Sequence, residues 1–151
     1  MKHRKDKFLL GVFLGILMVT MAVLSGCGAK AEPKPDPGSG KYLIYYLNSS
    51  LTKLVAQEYE TETKDQADLA EELMDQLLHV PRDLDCQPAV NEKVSFKTCR
   101  IDEQVLYLYF DGSYISMKPE QEILCRAALA RTMTQIPGID YISIYRGDQP
   151  L

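Results

Sequence analysis

The stretch RTMTQIPGIDYISIY, residues 131–145, changes its period in mid-course. Up to Gln135 it continues a run of helix-forming residues that opens at Pro119. From Ile139 onward apolar and polar residues alternate, as they do along a strand. Pro137 cannot continue a helix, and Gly138 suits the turn that stops one. The spacing predicts a helix from Pro119 to about Gln135, then a strand over Ile139–Tyr145. Thr132 and Thr134 read as side chains that bond backbone or pack, since hydroxyls in a last turn do so readily. The whole stretch marks a fold rather than a reaction.

Working outward, Pro119 suits the first helical position, and Glu120 and Glu122 favour the positive end of the helix. Ile123, Ala127, Ala130 and Thr134, widened by Leu124 and Ala128, form a stripe expected to lie close against a sheet. Before this helix, Val94–Arg100 and Gln104–Phe110 read as a hairpin joined through Ile101-Asp102-Glu103 and closed by Asp111-Gly112. Further upstream, Leu69, Ala70, Leu73, Met74, Leu77 and Leu78 recur at spacings of three and four. They predict an amphipathic helix over 65–79, opened by a capping box at Thr63–Gln66 and ended by Pro81. Tyr42–Asn48 and Leu54–Tyr59 are two earlier strands. The order β-β-α-β-β-α-β gives an α+β fold, a two-layer sandwich with both helices on one face of a mixed sheet. Each half reads ββα, without a residue-level repeat.

Alternation sorts the strand residues into two sets. Leu43, Leu47, Val94, Phe96, Leu106, Leu108, Phe110, Ile142 and Ile144 are expected to take the helices. Tyr42, Ile44, Tyr46, Val105, Tyr107, Tyr109, Tyr141, Ser143 and Tyr145 are expected on the other face. Tyr46, Tyr107, Tyr109, Tyr141 and Tyr145 thus form a candidate contact surface, because tyrosine is enriched at protein interfaces. A tyrosine-rich face is also an ordinary solvated sheet surface.

The start of the chain has another character. MKHRKDK is basic, and Phe8–Val23 carries no charge. These 16 residues would span about 24 Å as a helix, short of a bilayer core of about 30 Å. Leu24-Ser25-Gly26-Cys27 follows and resembles the lipobox of bacterial lipoproteins, in which the Cys is acylated and becomes the new N-terminus. Residues 1–26 are then a signal peptide. Residues 27–40 are a lipidated Cys27 and a Pro/Gly-rich tether with no large apolar residue. Residues 41–151 are one domain. The expected place is the outer face of the plasma membrane, held by the lipid on Cys27. An uncleaved anchor helix would tether the chain on the same side.

Without residues 1–26 the chain keeps 13 basic and 20 acidic residues, a net charge of −7 against −4 for the whole. That excess argues against nucleic acid as a partner. Of the two histidines, His3 lies in the leader and His79 at a helix end, where the helix dipole accounts for it. No nucleophile with a base, metal-ligand spacing, phosphate loop or Gly-x-Ser-x-Gly is present, so neither enzyme nor cofactor is expected. Cys86, Cys99 and Cys125 match no zinc spacing. They read as small half-buried thiols, with a Cys86–Cys99 disulfide as the alternative.

With the lipobox, tether, aromatic strand and capped helix in place, residues 41–148 resemble the GerMN domain family of sporulation and spore germination. The segments VSFKTCRIDEQVLYLYFDGSY and RTMTQIPGIDYISIYRGD carry the resemblance. Its motif residues here are Thr132, Thr134, Gln135, Pro137 and Gly138, with Met133 at a position that is usually Leu and Gly147 after the strand. The resemblance implies a lipoprotein domain similar to the ring-building modules of secretion-like assemblies, which pack against copies or partners without chemistry. Members often carry two tandem copies. The alternative function is a lipoprotein that binds a small apolar or cell-wall-derived ligand between helices and sheet.

Overall fold

The computed structural model describes residues 38–151. Cys27, the leader and most of the tether lie outside these residues. The described residues form one compact unit. Its strands are β1 (Lys41–Asn48), β2 (Leu54–Glu60), β3 (Cys86–Gln87), β4 (Phe96–Asp102), β5 (Val105–Phe110), β6 (Tyr141–Arg146) and β7 (Gln149–Pro150). Its helices are α1 (Gln66–Leu78) and α2 (Pro119–Met133), with a 3-10 turn at Gly112–Ser116 before α2. The five long strands and two helices follow the order read from the sequence, and β3 and β7 add two-residue strands. The fold is α+β.

The strands fall into two sheets. The first has the order β2-β1-β3 and is antiparallel throughout. The second has the order β4-β5-β6-β7, with β5 and β6 parallel and the other pairs antiparallel. The parallel pair follows from α2, which carries the chain back to the start of the sheet before β6 begins. There the N–H groups of Asp140 and Tyr141 both donate to the Gln104 carbonyl at the β4–β5 turn (2.9 and 3.1 Å).

β1 departs most from the alternation. Tyr42, Ile44, Tyr45, Tyr46 and Leu47 are all buried. Such a strand is covered on both faces, and its sequence is a near-continuous apolar run, YLIYYL. Tyr42, Ile44 and Tyr46 therefore lie inside, not on an open face as expected. Leu43, expected in the core, is only half-buried.

In the second sheet the alternation holds once a bulge is counted. The register slips between Phe96 and Thr98, so Lys97 is an extra residue. Phe96, Cys99 and Ile101 can then share the inner side with Leu106, Leu108 and Phe110. The Phe96 and Phe110 rings meet edge to face at 5.5 Å.

The helix ends differ in detail from the sequence reading. Asp65, not Thr63, caps α1, its carboxylate accepting from the N–H groups of Ala67 and Asp68 (2.9 and 3.1 Å). α1 buries Leu69, Ala70, Leu73, Met74 and Leu77. α2 buries Gln121, Cys125, Ala128, Leu129, Thr132 and Met133. The stripe led by Ile123 does not face a sheet, since Ile123 is 69% exposed. Apolar and charged residues are interspersed around this helix, so its period alone does not choose the inner side.

Candidate interaction surface

Two groups of residues carry what the sequence singled out. The first is the end of α2. Gln135 lies just beyond the helix and reaches the backbone of β1. Its Oε1 accepts from the Leu43 N–H and its Nε2 donates to the Leu43 carbonyl, both at 2.8 Å. Thr132 Oγ1 accepts from the Tyr45 N–H at 3.2 Å. The two side chains satisfy backbone groups that a neighbouring strand would otherwise pair. Thr134 Oγ1 turns back to the Ala130 carbonyl (2.8 Å). Gly138 has φ +84°, a left-handed conformation that a side chain makes costly. The preceding Pro137 carbonyl accepts from the Gln66 side-chain amide at the start of α1.

The second group is the outer face of the second sheet. Pairing places Thr98, Tyr109 and Tyr145 in one row, Arg100, Tyr107 and Ser143 in the next, and Asp102, Val105 and Tyr141 in the third. Residues paired across strands project to one side. The Tyr145 ring lies 5.2 Å from Tyr109 and 6.1 Å from Tyr107, both tilted. The Arg100 guanidinium carbon stands 4.8 Å above the centre of the Tyr107 ring. Tyr107, Tyr109 and Tyr145 are half-buried by one another, and Tyr141 is 65% exposed. The face thus holds four of the five candidate tyrosines. Tyr46, at 5% exposure, is excluded from it. Arg100 was not singled out from the sequence, although it alternates in step with the tyrosines once the bulge is known.

The interior between helices and sheets is filled. Leu69, Leu73, Leu77, Leu106, Leu108, Phe110, Leu129 and Met133 are all less than 2% exposed. Two clefts open at the rim of the first sheet. One of about 860 Å³ lies between Gly38–Gly40, Tyr42 and Thr61–Lys64, and one of about 440 Å³ between Tyr46, Gln57, His79 and Arg82. His79 is exposed at the end of α1, its Nδ1 2.7 Å from the Asp75 carbonyl. Cys86, Cys99 and Cys125 are free thiols. Among the described residues no group of three or more His, Cys, Asp or Glu is placed to hold a metal, and no helix is long and apolar enough to cross a membrane.

A sequence model of the Germane family, described as sporulation and spore germination, matches residues 43–151. No curated protein matches the sequence. Among solved structures, the chain is similar to the first GerMN domain of the sporulation protein GerM from Bacillus subtilis. The TM-score is 0.61 at 14% identity, over 74% of this chain and 85% of that one. The tandem GerMN domains of the same protein align with a TM-score of 0.60 at 14% identity, over 74% of this chain and 40% of that one. A candidate lipoprotein from Clostridium perfringens aligns with a TM-score of 0.52 at 18% identity, over 76% and 80% of the two chains. These likenesses show a shared fold, and the family match spans most of the sequence. The chain belongs to the Germane family of sporulation and spore germination, and its described residues fold as a GerMN domain.

Proposed function

We propose that this chain is a non-catalytic assembly module, tethered outside the cell membrane through Cys27, in a sporulation, germination or other cell-envelope complex. The contact surface is the outer face of the second sheet. The observation that carries this reading is the cluster of Tyr107, Tyr109 and Tyr145 with Arg100 above Tyr107. Tyrosine offers a large apolar ring with a polar tip and few torsions to freeze, which suits a surface that must live in water and also bind. The tether reading is supported by the lipobox-like Leu24–Cys27 and by the likeness to a candidate lipoprotein.

Sedimentation of residues 34–151 over a wide concentration range tests the contact face, beside a chain carrying Tyr107→Ser and Tyr109→Ser. Association that weakens in the double variant is the expected result. Identical behaviour of the two proteins would remove the sheet face as the contact.

A further inference from the structure

The smaller of the two clefts, about 440 Å³, lies between β2 and the end of α1. Its size falls within the range of about 300–1,000 Å³ that small ligands occupy. Polar groups without partners line it. Tyr46 is 5% exposed, and its hydroxyl makes no hydrogen bond within the described residues. Gln57 is half-buried on β2, and its amide nitrogen is enclosed without a hydrogen-bond partner, beside the weakly accepting thiol of Cys86. A half-turn about the last torsion of Gln57 swaps nitrogen and oxygen and presents the donor to the cleft. Arg82 lines the same cleft, is exposed, and enters no ion pair among the described residues. Its charge reaches the Tyr46 phenol, where it opposes the upward push that burial gives the pKa. One wall is Gln57–Glu60 of β2, the end strand of its sheet. An end strand carries unpaired N–H and carbonyl groups along its outer edge, and β2 has neither a proline nor a bulge to blunt that edge.

We propose that this cleft seats the free C-terminus of a partner protein, its terminal carboxylate held by Arg82 and the Tyr46 hydroxyl and its last residues paired along the outer edge of β2. Three features select this occupant. A guanidinium fork beside neutral O–H and N–H donors suits a planar carboxylate. Glu58 and Glu60 also line the cleft, and Asp83 and Asp85 follow Arg82 in the chain. Of these, Glu60 is balanced by Lys41 at 3.1 Å. The remaining acids repel a doubly charged phosphate more than a single carboxylate. An unpaired strand edge accepts an extended backbone, and side-chain contacts beside it add to the fit. Val80, 74% exposed at the cleft, supplies such an apolar contact.

The test is isothermal titration calorimetry of the full chain in mild detergent, with N-acetyl-trialanine as the probe. Saturable binding at one site per chain is the expected result. The C-terminal amide of the probe and its all-D form should each bind about tenfold more weakly or worse, since the first lacks the charge and the second cannot follow the twist of an L-strand. Arg82→Gln should weaken binding about tenfold, and Tyr46→Phe several-fold. Arg82 is exposed and phenylalanine keeps the ring of Tyr46, so neither change should move the melting temperature, which guards against loss of fold as the cause. Arg100→Gln, on the tyrosine face, should leave binding unchanged, so the two surfaces are read separately. No saturable heat up to millimolar probe, an amide or all-D form that binds as well as the acid, acetate that binds as tightly as the tripeptide, or indifference to Arg82→Gln would each overturn the proposal.

Discussion

Gln135 and Leu43 are joined by two hydrogen bonds of 2.8 Å, across 92 positions of sequence. One side-chain amide gives the Leu43 peptide the donor and the acceptor that a neighbouring strand would give. With Thr132 on the Tyr45 N–H, this closes the edge of β1 that β3 leaves open. An exposed strand edge invites pairing with another chain, and here α2 covers it.

Gln135→Leu should therefore lower stability by about 2–3 kcal/mol, because it leaves a part-buried N–H and carbonyl without partners. Gln135→Glu keeps the acceptor and loses the donor, and should fall roughly midway. Urea unfolding of residues 34–151 measures both. A Gln135→Leu midpoint equal to that of the native chain would sink the strand-substitute reading.

The two classes of tyrosine should separate cleanly on truncation. Tyr46 is buried on β1, at 5% exposure, and Tyr46→Ala should cost about 3–5 kcal/mol, as removal of a large core ring does. Tyr107 sits on the open face, held by one ring contact and Arg100. Tyr107→Ala should cost about 1 kcal/mol or less, the scale of a cross-strand pair. Equal losses at the two sites would contradict their placement.

These cases show where the sequence was legible. α1 was clear because one apolar stripe faces one core. The outer tyrosines of β5 and β6 were clear because that sheet is wet on one side, so alternation survives. β1 misled because alternation was imposed on YLIYYL, a run whose continuity already signals burial on both faces. Ile123 misled because apolar and charged residues are interspersed around α2, so no side stands out. The division into two sheets left no mark in any period. It rests on a side-chain amide in place of a strand, a contact that periodicity does not record.

Tyr59 and Glu72 tie β2 to α1, the phenol donating to the carboxylate at 2.6 Å. That bond, aided by burial, pushes the Tyr59 phenol from its ordinary 10.0 up to about 12. The Glu72 carboxyl is held below its ordinary 4.5 by the hydroxyls of Thr63 and Tyr59. A raised phenol pKa gives stability that is whole below pH 10 and is lost as pH rises toward 12. A lowered carboxyl pKa gives stability present above 4.5 and lost as pH falls below it. The stability difference between the native chain and Tyr59→Phe should thus be largest in the neutral range and shrink on both sides. Urea midpoints of the two proteins across pH check this, and a difference that does not vary with pH would show that the bond is not formed.

The three thiols should react in the order of their exposure. Cys99 is half-buried on β4, Cys86 is 6% exposed on β3, and Cys125 is fully enclosed on α2. Burial raises the thiol pKa at all three sites, and at Cys125 it reaches about 12, against the smaller opposing effect of Arg126. The thiolate is the reactive form, so enclosure and a high pKa act together on Cys125. With iodoacetamide at neutral pH, residues 34–151 should label first at Cys99, then at Cys86, and at Cys125 only on unfolding. Mass mapping without reductant should find all three modified once the chain is unfolded, as free thiols require. Labelling of Cys125 as fast as Cys99 in the folded protein would mean that the inner side of α2 opens to solvent. That side would then be the mobile one, and the stable cover of β1 by Thr132 and Gln135, about two to three turns further on, would fail with it.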